Sequence, residues 1–366
     1  MNADYEGRTR ACQHALSPQE CLVLFPGPNC QYLTGFRDDP MERHLLLFVP
    51  REGEPTFLAP AMYAEQLAET WVSDIRLWDD GEDPREHIEA IFSTLDPDRL
   101  LVDDRLWARF TQDLRAATDA EFGLASEALA DLRIRKDEAE IDAIRRASRL
   151  ADRVSEEVRT LDFTGVTERD LAREIDSRLA DVGGEGPSFE TIVASGANGA
   201  RPHHRHGDRE IEAGDPVVLD FGTRLDGYPS DQTRTVVRGG PPEGFEDVHD
   251  AVREAQQAAV EAVEPGVPAE AVDRAAREVI ERAGYGEEFT HRTGHGVGIE
   301  VHEPPYIVEG NTRELESEMV FSVEPGIYLE GRFGVRIEDL VVVTAEGGER
   351  LNDSPRGWRP RAPAGR

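Results

Sequence analysis

The chain has 366 residues, 39% of them hydrophobic, with 74 acidic against 41 basic residues and a formal net charge of −33. This length can bury a sizeable core and most naturally makes two domains. The charge argues against nucleic acid and anionic membranes as partners, since both are polyanions. Lys136 is the sole lysine. Such an acid-rich, lysine-poor composition reads as adaptation to a high-salt, halophile-like cytosol, where counterions screen self-repulsion. Cys12, Cys21 and Cys30 are odd in number and lack zinc-motif spacing, so free thiols in a reducing compartment are expected. The N-terminus carries no apolar signal core, and no run reaches the ~18 apolar residues of a membrane span. A cytoplasmic location is expected.

Residues 1–133 alternate short apolar runs with helical stretches. The segments 45–50, 55–60, 72–78 and 99–104 read as strands, and 81–95 reads as a helix between the last two, which predicts an N-terminal α/β domain. His14, His44 and His87 in this part are isolated and carry no catalytic signal. A helix then starts near Lys136, with Ile141, Ile144, Ala147, Ala151 and Val154 on one face. A second helix opens at Thr167–Asp170, carries Leu171, Ile175, Leu179 and Val182 as its apolar stripe, and closes at Gly183–Gly184. About 101 residues on, the pattern returns. Helix 245–263 leads through Pro265–Gly266–Val267–Pro268 to a helix with Val272, Ala276 and Ile280, which stops at Gly284. This is an internal duplication, and each helix pair is followed by strands. Residues 134–352 are therefore expected to form a duplicated α+β domain. The segment 353–366, basic and rich in Pro and Gly, is expected to be a loose tail.

Each half of the duplication also carries a pair of carboxylates. Asp220 and Asp231 lie symmetrically about Leu225–Asp226, with Gly227 as a turn residue and β-rich runs on both sides. That symmetry makes them approximate cross-strand partners, roughly 4.5–5.5 Å apart at Cβ. Glu324 and Glu338 repeat the arrangement about Gly331. Like charges facing each other across a ladder are destabilising unless a cation lies between them. Two such pairs with His295 suit a site for two divalent metal ions about 3.5–4 Å apart. The alternative, solvated carboxylates on strand faces of an acidic chain, fits poorly with apolar strands beside Gly and Pro turns. One imidazole among oxygen ligands is a hard donor set, for which Mn²⁺ is the expected ion and Co²⁺ or Zn²⁺ are compatible.

These motifs resemble the metallopeptidases with the duplicated pita-bread fold: methionine aminopeptidases, aminopeptidase P and Xaa-Pro dipeptidases (prolidases). DFG (220–222) with SDQTRT (230–235), GHGVG (294–298), EPG (324–326) and RIED (336–339) match the family pattern in order. PNCQYLTGF (28–36) and LRIRKDEAEIDAIRRA (132–147) extend the match to the creatinase-like N-terminal domain of prolidase and aminopeptidase P. All five ligand positions are intact, which sets the chain apart from members that keep the fold without metal. The resemblance implies that Asp220, Asp231, His295, Glu324 and Glu338 bind the two ions, with Asp231 and Glu338 bridging. It makes Glu324 the general base, His302 a donor to the scissile carbonyl or developing oxyanion, and His203 a catalytic or substrate-contacting histidine. His291 falls in the proline-side pocket, with the Pro304–Pro305 turn. Arg336, alternating onto the strand face of Glu338, is expected to pair with that carboxylate or another ligand. His204 and His206 read better as part of a solvated loop. The implied function is hydrolysis of the bond before proline in di- or oligopeptides, the dipeptidase form favoured over aminopeptidase P, by a homodimer. An amidohydrolase acting on a non-peptide amide and a non-catalytic binding protein are the other classes.

Overall fold

The computed structural model describes residues 3–360, and the chain divides into two compact units, 1–133 and 134–366. In the first unit six strands form one mixed sheet in the order β4-β3-β2-β1-β5-β6. They are β1 (Glu20–Leu24), β2 (Leu46–Pro50), β3 (Thr56–Pro60), β4 (Asp74–Trp78), β5 (Arg99–Val102) and β6 (Glu121–Leu124). The helix Pro84–Leu95, capped by the Asp83 side chain, buries Ile88, Ile91 and Phe92 against Val23, Phe48 and Leu100 of the sheet. The three cysteines are free and buried.

The second unit carries the duplication in its hydrogen bonds. The helix Glu138–Val158 begins with a capping box between Asp137 and Glu140. The helix Glu168–Asp181 begins at Thr167, and the helix Ala269–Arg282 at Pro268. Thr167 bridges Glu210, and Pro268 bridges Glu314. Gly165 N–H donates to the Ile211 carbonyl, and Gly266 N–H to the Leu315 carbonyl. At the far ends, Gly184 N–H returns to Leu179 and Tyr285 N–H to Ile280. Gly183 and Gly284 sit there at φ +100° and +88°, left-handed conformations that favour glycine.

Each half has its own core and its own strands. In the first half, β7 (Ile192–Ser195), β8 (Pro216–Phe221) and β11 (Gln232–Val237) form a sheet ordered β11-β8-β7, with the short ribbon β9 (Arg224–Leu225) and β10 (Tyr228–Pro229) at the hairpin tip. Leu171, Ile175 and Leu179 pack there on Val217, Leu219 and Phe221. In the second half, β12 (Gly294–Gly296), β13 (Glu303–Ile307), β14 (Val320–Val323), β17 (Asp339–Thr344) and β18 (Gly347–Arg350) form a sheet ordered β13-β12-β14-β17-β18. The ribbon β15 (Gly326–Leu329) and β16 (Phe333–Arg336) extends from it. Val272, Ala276 and Ile280 pack with Phe321, Val335 and Val341. The two halves meet where Glu338 N–H donates to the Thr233 carbonyl at 3.1 Å.

The stretch expected as a loose tail is docked as far as it is described. Ser354 is buried, Arg234 donates to its carbonyl at 3.0 Å, and Trp358 packs edge-on against Phe245. Residues 361–366 lie outside the described part of the chain.

Candidate metal centre

Strand alternation places the polar groups. On β8, Val217, Leu219 and Phe221 enter the core, which leaves Asp220 on the opposite face. Val323, Val335 and Ile337 do the same in the second half, so Glu324, Arg336 and Glu338 turn outward together. His295 sits between two glycines for steric reasons. A Cβ at Gly294 would fall 1.8 Å from the Ser322 carbonyl oxygen, and one at Gly296 would fall 2.2 Å from that of Pro304.

These faces meet around a cavity of about 560 Å³, whose walls include all five proposed ligands together with His203, His291, His302 and Arg336. The Pro304–Pro305 turn is not among its walls; Phe189, Ile192 and Pro202 supply the apolar side. One ligand atom each from Asp231, His295 and Glu338 lie within 4.8 Å of one another. His295 Nε2 is 3.3 Å from Glu324 Oε1 and 3.7 Å from Asp231 Oδ2. Glu324 and Glu338 are directly opposed, because the register of Val323 with Asp339 continues as that of Gly326 with Arg336. Asp220 and Asp231 are not. Asp220 pairs with Thr233, and Asp231 is displaced by two residues along the same face.

The centre is built for a cation. Asp220 Oδ1, Asp231 Oδ1 and Glu338 Oε1 are buried without any hydrogen-bond partner. His295 Nδ1 faces the Gly296 carbonyl at 3.2 Å, so that nitrogen carries the proton and the lone pair of Nε2 points at two carboxylates. Burial, with His302 nearby, pushes His295 down to about 3, which keeps the imidazole neutral. A lone pair facing carboxylate oxygens is repulsive unless a positive ion sits between them. Burial and the neighbouring carboxylates Asp220 and Glu324 raise Asp231 well above the usual range; burial, Asp231 and Glu324 do the same for Glu338. Burial lifts Glu324 to about 7. Divalent cations fit these residues by charge, by donor type and by the orphaned oxygens.

Arg336 organises the surroundings. Its partner is Asp220, not Glu338, and it also donates to Thr233 Oγ1 at 3.1 Å and to Tyr328 Oη at 3.0 Å. Thr233 in turn donates to Glu338 Oε2 at 2.6 Å. His291 lines the cavity with its ring, but both nitrogens are engaged: Nδ1 with the Arg292 carbonyl at 2.7 Å, and Nε2 with Tyr328 Oη at 2.8 Å. Burial lowers His291 to about 4. His302 is exposed on the cavity side, its ring 4.1 Å from that of His295. His203 is exposed on the same wall.

His204 and His206 are half-buried and hydrogen-bonded, not free in a solvated loop. His204 Nε2 contacts the buried Glu168 carboxylate at 2.8 Å, and His206 Nδ1 contacts the Thr191 carbonyl at 2.8 Å, so both anchor the loop that presents His203. Sequence reasoning missed Thr233, Tyr328 and Arg292. Thr233 was open to it, since a residue two positions from Asp231 on a strand shares its face.

Residues 142–345 match the model of metallopeptidase family M24, and residues 14–135 match the creatinase/prolidase N-terminal domain. The chain belongs to metallopeptidase family M24. It is 42% identical over 339 residues to the probable dipeptidase PepE of Mycobacterium tuberculosis, covering 91% of this chain and 90% of that protein. It is 40% identical over 328 residues to the Xaa-Pro dipeptidase of Lactobacillus helveticus, covering 86% and 88%. Among solved structures, the recombinant prolidase from Thermococcus sibiricus superposes with a TM-score of 0.95 at 40% identity, covering 98% of this chain and 100% of that one. The α+β architecture with a duplicated pita-bread domain is thus that of an M24 peptidase. Membership of the family implies divalent metal ions, in keeping with the donor set described above.

Proposed function

We propose that this M24 peptidase hydrolyses the bond before proline in Xaa-Pro dipeptides. The observation that carries the reading is the buried cluster of carboxylates and one imidazole at the cavity wall, with its unpartnered oxygens, and relatives named Xaa-Pro dipeptidase and prolidase support it. Asp220, Asp231, His295, Glu324 and Glu338 would hold two divalent ions, with Mn²⁺ favoured by the hard donor set and Co²⁺ or Zn²⁺ compatible. When bound, such ions polarise the scissile carbonyl and activate water.

The chain's own groups do the rest. Glu324, 16% exposed at the wall and held by Ser322 Oγ at 3.1 Å, carries the proton from water to the prolyl nitrogen. His302, on the cavity side of His295, donates to the carbonyl oxygen as charge develops there. A prolyl amide nitrogen lacks a hydrogen, so recognition must come from the ring's shape; the apolar wall of Phe189, Ile192 and Pro202 suits it. The free carboxylate of a dipeptide needs a cation. Arg292 lines the cavity, stacked 4.4 Å over Tyr306, with no ion pair among the described residues, and His203 stands on the same wall. Assembly as a homodimer, a cytoplasmic location and adaptation to high salt belong to the same reading. No helix among the described residues is long and apolar enough to cross a membrane.

The test is a substrate panel with Mn²⁺ at high salt. Efficient cleavage of Xaa-Pro dipeptides, weak cleavage of Xaa-Pro-Yaa tripeptides and negligible cleavage of Xaa-Ala are expected. Preference for tripeptides would make the enzyme an aminopeptidase P, and indifference to proline would overturn the pocket argument.

A further inference from the structure

Every basic residue but one is arginine, and the exception is buried. The Lys136 side chain is 0% exposed and that of Glu303 5%. Its ammonium donates to Glu303 Oε1 at 2.8 Å and to the Ile134 carbonyl at 3.2 Å. Its backbone N–H donates to the Glu318 carbonyl at 2.9 Å. Withdrawing two charges from water is costly, and well-packed apolar residues would often serve stability as well. A buried pair of this kind therefore points to a task in positioning.

The task is visible in what Glu303 touches. Glu303 follows His302 and opens β13, where it pairs with Gly296 beside His295. The loop 297–302, which delivers His302 to the cavity, folds over the Glu303 carboxylate. A Cβ at Gly298 would fall 2.2 Å from Glu303 Oε1, and Glu300 N–H approaches Oε2 at 3.4 Å. One carboxylate thus meets the loop along its length while Lys136 fixes that carboxylate from behind.

We propose that Lys136 is a positioning residue which, through Glu303, sets the loop 297–302 and the orientation of His302. The role given to His302 rests on the peptidase reading; the clamp itself does not. Lysine is kept here because a compact ammonium serves two close acceptors, whereas a planar guanidinium with five donors needs more room and more partners.

The test compares Lys136→Arg and Lys136→Met in the full chain, alone and combined with His302→Ala. The His302 imidazole resonance, assigned by its loss in His302→Ala, reads the clamp without any substrate. It is expected to shift in both Lys136 variants. On an Xaa-Pro dipeptide, kcat is expected to fall roughly tenfold to a hundredfold with KM little changed, and the same substitutions in the His302→Ala background should cost nothing further. An unmoved resonance, or losses that multiply in the double variants, overturns the proposal. Should Lys136→Met not fold, the neutral pair Lys136→Gln with Glu303→Gln takes its place under the same criteria. If the parent enzyme fails to cleave Xaa-Pro bonds at all, the peptidase reading falls and the resonance alone decides the clamp.

Discussion

Removing the metal ions should make the centre take up protons, and refilling it should release them. The number follows from the geometry. Two carboxylate charges 4.8 Å apart, the limit that encloses Asp231, His295 and Glu338, repel by about 3.5 kcal/mol at an effective dielectric constant of about 20. That equals about 2.5 pKa units for the first proton the pair takes up, and burial acts in the same direction. Asp231 and Glu338 are both raised well above their usual range, and Glu324 stands at about 7. At pH 7 the ion-free centre should therefore hold about one proton or more, which must leave when carboxylates become ligands. Titrating Mn²⁺ into chelator-treated enzyme, in buffers of different ionisation enthalpy, measures this as the slope of observed heat against buffer enthalpy. The apparent affinity should also rise about tenfold or more per pH unit near neutrality. A heat independent of buffer would refute the reasoning, because it would mean that Arg336 alone neutralises the cluster.

Three further outcomes are expected. Thr233→Val keeps the shape but strips Glu338 Oε2 and Arg336 Nε of a shared partner; metal affinity and kcat/KM should each fall about 10- to 100-fold, and a change under about twofold would remove Thr233 from the machinery. His249 is buried, with neither ring nitrogen hydrogen-bonded, and burial depresses it from 6.5 to about 4. The unfolded chain then binds more protons between those values, so stability is full above about pH 6.5 and declines by up to roughly 3 kcal/mol as pH falls towards 4. His249→Phe should flatten that part of a urea-unfolding pH profile, and an unchanged slope counts against it. The net charge of −33 predicts a melting temperature that climbs as KCl rises from about 0.1 M to about 2 M; a flat response would show that self-repulsion does not limit the fold.

Much of the second unit was legible because its signals are local. Helix stripes, the Thr167 cap and the glycines at 183 and 284 each act within one turn, and the second copy repeats them. The first unit was less so. The central strand β1 is only five residues long and is followed, one residue on, by Pro26–Gly27–Pro28, and β6 carries Gly123 inside a four-residue run, which weakens any strand pattern. The docking of residues 353–360 was illegible for another reason. Arg159 and Arg234 reach the backbone carbonyls of Pro355, Gly357 and Ser354, and a carbonyl acceptor leaves no mark in the residue types that bear it. The same holds for the Arg205-flanked histidines, whose anchors include the Thr191 carbonyl.

The two carboxylate hairpins show where symmetry counting succeeds and where it needs turn chemistry. About Gly331, counting outward places Glu324 against Glu338, and the ladders on both sides keep that register. About Leu225–Asp226 the same count fails by two, because the turn is centred on Asp226–Gly227. Both residues lie at positive φ, 51° and 81°, the pattern of a two-residue type I′ turn for which Asp-Gly is a preferred sequence. Leu225 then pairs with Tyr228, and Asp220 with Thr233. The slip is even-numbered, so it leaves every side chain on its expected face. Asp231 still reaches the centre, now from a diagonal position, and the vacated place opposite Asp220 goes to Thr233. That threonine holds Glu338 and receives Arg336, which it could not do if the hairpin had closed with the aspartates face to face. The Asp-Gly turn therefore sets more than the hairpin's tip: it decides that the first half contributes two carboxylates and a supporting hydroxyl, while the second contributes two carboxylates and a guanidinium.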